Sequence, residues 1–434
     1  MSADRDALRD TVREARRAGA ALAALDPDGR AGLLGDLAAA LEDERTRARI
    51  LEANAADLAR ARSGSGAVAP ALLDRLVLDG KKLDSVTDGL RRLTALPEVV
   101  GRVSLRRELD DGLILTRVAC PLGVLAVVFE ARPDALPQIA GLAWKSGNAL
   151  VLKGGREARE SHRALTAAAH QVLARHGLDV RALVLLEDRA EVDALLALDD
   201  LVDLVVARGG ASFVAQVKSQ TRIPVMGHAA GVCHVYLHRG ADAAMAARIA
   251  VDAKCSYPAA CNAAETLLWD DGAELAADAA IAALRARGVE LRADQATRDR
   301  HPDLAAARDG DWDVEHGALV MSVRRVRGMD DALAHIAAHG SRHTEAIVTS
   351  DRAAAEHFLA AVDAASVFHN ASTRFADGYR FGLGAEVGIS TDKLHARGPV
   401  GVEGLLTYRW LLRGEGQVSA SYGPGGRPFT HQDL

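Results

Sequence analysis

Cysteine is scarce in this chain: the sequence contains four, and none belongs to a Cys-x-x-Cys pair. Four cysteines are too few to stabilise a fold of this size by disulfides, which favours reduced thiols in a cytoplasmic protein. The longest apolar runs fall far short of a membrane span, and the N-terminus shows no apolar signal segment. The net charge is only -6, and no block of Lys and Arg is present, which argues against nucleic acid or a membrane surface as the main partner.

The length and the composition indicate a globular protein with more than one domain. At 434 residues the chain exceeds what a single hydrophobic core usually supports. Hydrophobic residues make up 49% and charged residues 26%, as is typical of such proteins. We expect one domain over residues 1–238 and a second over 239–369, followed by a segment from 370 to 434.

Residues 1–100 have the Ala, Leu, Arg and Glu content of a bundle of surface helices, interrupted by Ser and Gly at 63–66. Asp-Gly between two strand-like runs predicts a hairpin at about 103–118. From residue 123, and again from about 240, apolar strands alternate with helices, which predicts two doubly wound parallel sheets. A last strand is expected at 405–410 and a flexible tail from 423.

Two glycine pairs follow predicted strands of the first series, where backbone amides at a helix start can bind a phosphate. They lie in Lys153-Gly154-Gly155-Arg156 and in Arg208-Gly209-Gly210-Ala211. Neither is a G-x-G-x-x-G fingerprint or a P-loop, and either one alone is more typical of a simple turn.

Cys261 lies in a loop between a predicted helix and the strand-like run 266–269, among small residues that leave room beside it. A thiolate is the best nucleophile that side chains offer near neutral pH. The alternative is that Cys261 is a small buried residue, as most free cysteines are.

The order of these pieces resembles the aldehyde dehydrogenase superfamily and, more closely, its gamma-glutamyl phosphate reductase family. The resemblance therefore implies an α/β, aldehyde dehydrogenase-like fold, with two doubly wound Rossmann-like domains plus a small oligomerisation hairpin and strand. It spans nearly the whole chain and is carried by the segments FEARPD (129–134), KSGN (145–148), LKGG (152–155), RGG (208–210), ACNAAETLL (260–268), GSRHTEAI (340–347), NASTRFADG (370–378), FGLGAEVGIST (381–391) and HARGPVG (395–401).

The resemblance implies the reduction of L-glutamate 5-phosphate to the 5-semialdehyde, with NADPH as the cofactor, in proline biosynthesis. Cys261 matches the nucleophile of the family, which forms a thioester, and its backbone amide is the leading donor to the oxyanion. The resemblance also implies that Asn262 supports catalysis by Cys261. His228 stands where oxidising relatives carry a water-activating glutamate, so a role in suppressing hydrolysis and a role as an ordinary core histidine both stay open.

Residues 1–238 would bind NADP and residues 239–369 would carry the thiol. Arg156 suits the extra phosphate of NADP, although a solvated arginine at a helix start is the alternative. The cofactor-binding residues implied are Lys153, Gly154, Gly155, Arg156, Arg208, Gly209, Gly210 and Glu315. The substrate-binding residues implied are Glu130, Arg132, His343, Asn370, Ser372, Thr373 and Arg374.

A resident metal is not expected, because no zinc-ligand spacing is present; a set of Cys233, His234 and His228 is the formal alternative. The resemblance implies a homodimer or homotetramer, with a separate glutamate 5-kinase as a possible transient partner. Two other functions fit the sequence less well. One is an NAD-dependent aldehyde oxidation, which predicts Glu at position 228 and a neutral or acidic residue at 156, whereas the chain has His228 and Arg156. The other is a catalytically silent binding protein, against which the intact Cys261 and the substrate loop argue.

Overall fold

A computed structural model describes residues 2–63, 70–130, 132–228, 230–393 and 395–434. The chain begins with five helices: α1 (Ser2–Ala24), α2 (Pro27–Glu42), α3 (Glu44–Ser63), α4 (Pro70–Leu76) and α5 (Gly80–Ala95). Most of the interruption predicted at 63–66 lies outside the described residues. These helices are not only a surface layer, because α2 and α5 bury leucines such as Leu33, Leu37 and Leu90 in the largest core of the protein.

The predicted hairpin is formed by β1 (Val103–Asp110) and β2 (Leu113–Pro121). The late strand β17 (Leu406–Arg413) pairs antiparallel with β2. The segment predicted as a flexible tail ends instead in the short strand β18 (Gln432–Asp433), which pairs antiparallel with β1 and completes a four-stranded sheet. A charged pair holds this end of the chain, because Arg107 Nε donates to Asp433 Oδ1 at 2.6 Å.

The first parallel sheet has the strand order β5-β4-β3-β6-β7. Its strands alternate their buried side chains between two cores. Leu125 and Val127 lie in the core formed with α2 and α5, whereas Val124 and Ala126 pack against α1 on the opposite face. The elements of this unit are β3 (Val124–Phe129), α6 (Ala135–Lys145), β4 (Ala149–Lys153), α7 (Arg159–Arg175), β5 (Leu183–Leu186), α8 (Arg189–Leu195), β6 (Leu204–Arg208), α9 (Ala211–Gln220) and β7 (Val225–Met226).

The second parallel sheet has the order β11-β10-β12-β9-β8-β13-β14. Its first strand is β8 (Cys233–Leu237), which pairs with strands on both sides. The sheet topology thus places residues 233–237 with the second unit, whereas the boundary expected after residue 238 would leave them with the first. The other elements are α10 (Ala243–Cys255), β9 (Ala264–Asp270), α11 (Glu274–Ala286), β10 (Glu290–Ala293), α12 (Gln295–Arg300), β11 (Ala305–Ala306), β12 (Val320–Val326), α13 (Met329–His339), β13 (Thr344–Val348), α14 (Arg352–Ala361) and β14 (Ser366–His369).

After β14 the chain returns to the first unit. The short strands β15 (Ile389–Ser390) and β16 (Gly398–Pro399) pair antiparallel, and Val387, Val400 and Leu405 enter the core of the first sheet. This crossing brings the segment from 370 to 390 across the space between the two parallel sheets. Within the described part of the chain, no helix combines the length and the apolar character that crossing a bilayer requires.

Candidate active site

A cavity of about 370 Å³ lies between the two parallel sheets and contains the predicted nucleophile. It receives residues from the carboxyl ends of β3 and β6, where ligands of doubly wound sheets bind, and from loops of the second unit. The residues expected from the sequence that line it are Glu130, Arg132, Arg208, Gly209, Gly210, His228, Cys261, Asn262, Glu315 and Arg374.

The Cys261 loop joins α10 to β9 and is closed by local hydrogen bonds. The amide of Ala263 donates to the carbonyl oxygen of Ala260 at 2.8 Å, and the buried side chain of Asn262 donates to the carbonyl oxygen of Ala376 at 2.8 Å. Gly231 lies so close that a Cβ there would collide with the backbone of Cys261. Asn262 therefore anchors the nucleophile loop to the return segment, and its Oδ1 has no partner among the described residues.

Glu315 is linked to the same loop through Gly231. Its carboxylate Oε2 accepts the amide hydrogen of Gly231 at 2.8 Å. Since Gly231 contacts the backbone of Cys261, Glu315 is connected to the thiol loop through one residue. Its side chain also lines the cavity, where one of its carboxylate oxygens remains available to a ligand.

The environment of the Cys261 thiol disfavours its ionised form. Burial raises the pKa of Cys261 to about 12, and the carboxylates of Glu315 and Glu386 contribute to that rise, while Arg208 and Arg132 act in the opposite direction. The thiol is thus protonated at neutral pH in the free protein, and it becomes a nucleophile only when a neighbouring group accepts its proton.

Alkylation of Cys261 by iodoacetamide should accelerate about tenfold for each pH unit between about pH 7 and pH 10, because only the thiolate reacts. Labelling followed by mass spectrometry of the peptide that contains Cys261 measures this rate. Glu315→Gln removes a charge that raises the pKa of the thiol, so it should increase the rate at each pH. A rate that levels off below about pH 9 would contradict the protonated resting thiol.

Two histidines lie beside the thiol. One nitrogen each of His228 and His343 and the sulfur of Cys261 lie within 4.8 Å of one another. His228 Nδ1 lies 3.2 Å from the carbonyl oxygen of Ile389, to which it must donate, so Nε2 carries the lone pair. Burial lowers the pKa of His228, which keeps its ring neutral and able to accept a proton. His343 is 1% exposed and does not line the cavity; burial and the neighbouring His228 lower its pKa to about 3.

Four arginines line the cavity, and three of them, Arg132, Arg208 and Arg374, were expected. Burial, then the charge of Arg132, lowers the pKa of Arg208. The guanidinium of Arg208 makes no hydrogen bond or ion pair within the described residues. Two close guanidinium groups that lack a full set of carboxylate partners form a strong site for an anion. The Nε of Arg374 donates to Ser256 Oγ at 3.1 Å, and the residue lines the cavity.

The fourth arginine, Arg75 in α4, was missed by sequence reasoning, as were the acidic residues Asp377 and Glu386. Arg75 lies in the N-terminal helical region, which contains no motif, so no pattern signals its position. Glu386 lies in the segment that carries the family resemblance, and its Oε2 accepts the amide hydrogen of Gly378 at 2.7 Å. Burial raises the pKa of Glu386, and Arg208 partly offsets that rise. The position of Glu386 within the FGLGAEVG motif therefore indicated a site residue, although Glu386 was not among the residues predicted.

The expected cofactor residues around Lys153 form a second group, at the carboxyl end of β4, next to β3 in the same sheet. Lys153 is buried and its Nζ donates to the carbonyl oxygen of Gly154 at 2.6 Å. Burial, then Arg156, lowers its pKa. Gly154 touches the ring of His162 so closely that a side chain at 154 would displace it. Gly155 precedes the exposed Arg156, so this loop presents backbone and a cation at the sheet edge.

Besides His343, three residues expected to bind substrate do not line the cavity. The side-chain amide of Asn370 makes two hydrogen bonds with the backbone of Thr349. Its Oδ1 accepts from the Thr349 nitrogen and its Nδ2 donates to the Thr349 oxygen, both at 2.9 Å. Ser372 accepts the amide hydrogen of Arg374 at 3.3 Å. Thr373 is fully buried. Ser372 thus shapes the turn that presents Arg374, because short polar side chains bond readily to nearby backbone.

A search with protein-family models finds no match for this chain. A gamma-glutamyl phosphate reductase of Cyanothece sp. is 52% identical over 429 residues, which cover 98% of each protein. The crystal structure of a gamma-glutamyl phosphate reductase from Thermotoga maritima has a TM-score of 0.91 at 34% identity, covering 95% of this chain and 99% of that one.

An acetylating aldehyde dehydrogenase from Geobacillus thermoglucosidasius has a TM-score of 0.67 at 17% identity, covering 95% of this chain and 98% of that one. At that identity the likeness shows the fold alone, which confirms the aldehyde dehydrogenase-like architecture expected from the sequence. The near full-length identity to the Cyanothece protein goes further. This chain belongs to the gamma-glutamyl phosphate reductase family.

Proposed function

We propose that this enzyme reduces L-glutamate 5-phosphate to L-glutamate 5-semialdehyde, with release of phosphate, through a thioester on Cys261. The observation that carries the proposal is the position of a single thiol in a cavity with four arginines. An acyl phosphate with an α-carboxylate brings two anionic groups, and guanidinium groups bind both kinds well.

Acylation requires that the Cys261 thiol lose its proton. His228 Nε2 is the acceptor that fits, since its ring is neutral and lies beside the sulfur. The thiolate attacks the carbonyl carbon, the bond from that carbon to the phosphate oxygen breaks, and phosphate leaves with the electron pair. The backbone amide of Cys261 donates to the developing oxyanion; one such donor typically contributes about 3–4 kcal/mol.

The thioester must then be reduced rather than hydrolysed. When bound, NADPH supplies the hydride that reduces the thioester carbonyl. Collapse of the resulting thiohemiacetal releases the aldehyde and restores the thiolate. Position 228 holds histidine, where oxidising relatives carry a water-activating glutamate, and its Nδ1 is committed to the carbonyl oxygen of Ile389. Once His228 Nε2 holds the proton taken from the thiol, it cannot also activate water, so hydrolysis is suppressed.

The substrate contacts that we propose divide by charge. Arg132 and Arg208 both line the cavity and lie close enough to repel each other, so they would bind the phosphate, whose negative charge relieves that repulsion. Arg374 and Arg75 would bind the α-carboxylate. The exposed carboxylate of Glu130, which follows β3 and adjoins Gly209, suits the α-ammonium group.

The binding of the cofactor rests on two loops at the same sheet edge. The helix α9 begins just after Gly210, whose position provides no side-chain cap, so its first amides remain available to a pyrophosphate. Lys153 and Arg156 lie at the end of β4, which β3 separates from β6, and a ribose and its 2′-phosphate would bind there. The residues fit NADP better than NAD, because Arg156 is exposed and cationic.

Arg156→Ala should raise KM for NADPH about 10- to 100-fold, because one hydrogen bond to a charged group contributes about 1.5–3 kcal/mol. KM for NADH should stay nearly unchanged, since NADH lacks the 2′-phosphate. Initial rates with both cofactors measure the ratio. Arg159→Ala is the matched control, because Arg159 is a nearby exposed arginine already paired with Glu187 at 2.8 Å. An equal rise for NADH would contradict the assignment.

The reaction itself is tested in reverse, which avoids the labile acyl phosphate. Purified protein receives glutamate 5-semialdehyde, inorganic phosphate and NADP, and the formation of NADPH is followed by absorbance. We expect turnover that depends on phosphate. NADPH formation without phosphate, with glutamate as the product, would instead establish an aldehyde oxidation and overturn the proposal.

We also propose a homodimer or homotetramer. Tyr408, Trp410 and Leu412 alternate along β17, the edge strand of the four-stranded sheet, and all three are exposed on one face. An apolar face on an open strand edge favours pairing with another copy. Light scattering measures the subunit number, and a pull-down with a glutamate 5-kinase tests for a transient complex.

A further inference from the structure

Cys261, His228 and His343 come from three separate segments that the second sheet brings together. Each lies shortly before a strand: His228 before β8, Cys261 before β9 and His343 before β13. These strands are adjacent in the order β9-β8-β13 and run parallel. Their starting ends therefore meet, and one ligand atom from each side chain lies within 4.8 Å of the other two.

Both imidazoles can offer an unprotonated nitrogen to this point. His228 keeps its proton on Nδ1 for the carbonyl oxygen of Ile389, at 3.2 Å. His343 Nδ1 lies 2.8 Å from Thr344 Oγ1, and its Nε2 is buried with no partner among the described residues. A buried ring nitrogen without a partner is costly. Hydrogen bonds at Nδ1 that leave Nε2 for a metal are the arrangement found around bound zinc.

We propose that Cys261 Sγ, His228 Nε2 and His343 Nε2 bind a zinc ion that reversibly inhibits the enzyme. One sulfur and two nitrogens are a donor set that zinc favours, and the cavity leaves the fourth position for water. Tetrahedral zinc with bonds of about 2.0–2.3 Å to one sulfur and two nitrogens needs ligand atoms roughly 3.3–3.6 Å apart, so small side-chain rotations complete the site.

Zinc inhibits because it binds the sulfur electron pair that attack on the substrate requires. On binding, the Cys261 thiol releases its proton to solvent, and the thiolate electron pair forms the bond to zinc. That pair is then unavailable for attack on an acyl carbon, so the metal and the acyl group compete for one sulfur. The carboxylate of Glu315 lies close enough to stabilise the added positive charge, which opposes the repulsion from Arg208.

The first test measures binding without turnover, so its outcome does not depend on the proposed reaction. Cobalt(II) is titrated into the wild-type protein, and a thiolate-to-cobalt charge-transfer band reports coordination by sulfur. We expect one equivalent to bind, with zinc displacing the cobalt because it binds such sites more tightly. The band should be absent in Cys261→Ser and the affinity at least about tenfold lower in His343→Gln, the loss typical of even an outer-shell partner.

Cys255→Ser and His176→Gln are the matched controls, since they change a thiol and an imidazole outside the cluster. Both should bind cobalt as the wild type does. An unchanged affinity in His343→Gln, or a band lost in Cys255→Ser, would overturn the site. Circular dichroism confirms that the variants fold, and His228→Gln gives a second ligand variant if His343→Gln does not fold.

The second test measures inhibition. Buffered micromolar zinc should inhibit the wild-type enzyme, and a chelator should restore the activity. The residual activity of His343→Gln should need at least about tenfold more zinc for the same inhibition. Zinc that binds at the cluster and leaves turnover unchanged would overturn the inhibitory role.

Discussion

Cys261→Ala protein is expected to lose turnover by roughly 10⁴-fold or more, the scale seen when a covalent nucleophile is removed, while it still binds NADPH. The reason is chemical: alanine cannot form the thioester, and no other side chain that lines the cavity can replace a thiol. Turnover is measured in the reverse assay, and binding by the fluorescence of NADPH.

The control is Cys255→Ala. Cys255 ends α10, six positions before the predicted nucleophile, does not line the cavity, and burial raises its pKa. Its replacement should leave turnover within about twofold, because surface or half-buried substitutions away from a site usually have small effects. If Cys255→Ala and not Cys261→Ala abolished turnover, the nucleophile would be wrongly assigned.

The two parallel sheets were predictable because central strands such as β3 and β4 are fully buried and read as nearly continuous apolar runs. The alternation of strands and helices predicted from residue 123 begins with β3 (Val124–Phe129) and α6 (Ala135–Lys145). Few other folds can bury apolar strands that alternate with helices along the chain. The local pattern of residues 233–237 does not assign this strand to one of the two sheets. Its partner strands, β9 and β13, lie roughly 30 to 110 residues away along the chain, and a local pattern does not identify them.

The strand at the C-terminus was not predictable for a different reason. Gln432 and Asp433 have neither apolar alternation nor β-branching, and they pair with β1 through backbone bonds and an ion pair. The strand propensity of a two-residue segment gives no information about a partner strand more than about 300 residues away in the chain. The sequence around 423–426 does contain the glycines of a turn, which explains why a flexible tail was expected.

The site was predictable where a motif specifies both residue and position, as at Cys261 and Arg208. It was less predictable within the loop 370–374, where all the polar residues share one sequence context. The structure separates them: Arg374 reaches the cavity, whereas Asn370 holds Thr349. Which side of a turn a polar side chain occupies depends on tertiary contacts that spacing does not encode.

A buried ion pair anchors both ends of the nucleophile loop. Lys254 in the last turn of α10 and Glu265 in β9 have side chains that are 0% exposed, with 2.6 Å between Nζ and Oε2. Cys261 lies between them in the chain. Burial raises the pKa of Glu265 to about 7, and Lys254 opposes that rise. Removing the lysine would leave a buried carboxylate without its counter-charge.

Lys254→Met should therefore lower the free energy of unfolding at pH 8 by about 3–5 kcal/mol, as expected when one partner of a buried pair is removed, and should lower turnover because the loop moves. Without Lys254 the pKa of Glu265 rises further, so the folded protein binds a proton more readily than the unfolded chain. The penalty should consequently shrink by up to about 1.4 kcal/mol per pH unit between pH 8 and about pH 7, below which Glu265 of the wild-type protein also takes up a proton. Denaturant unfolding of each variant at pH 6 and pH 8 measures both effects.

The double variant Lys254→Met/Glu265→Gln tests whether charge is the cause. The amide that replaces the carboxylate cannot ionise, so the double variant should recover most of the stability lost by Lys254→Met, and its stability should vary less with pH. Replacing both partners of a buried pair is often nearly neutral, whereas removing one is not. If the single and double variants lose stability equally at both pH values, the lysine acts through packing of its aliphatic chain, and the ion pair does not hold the loop that carries Cys261.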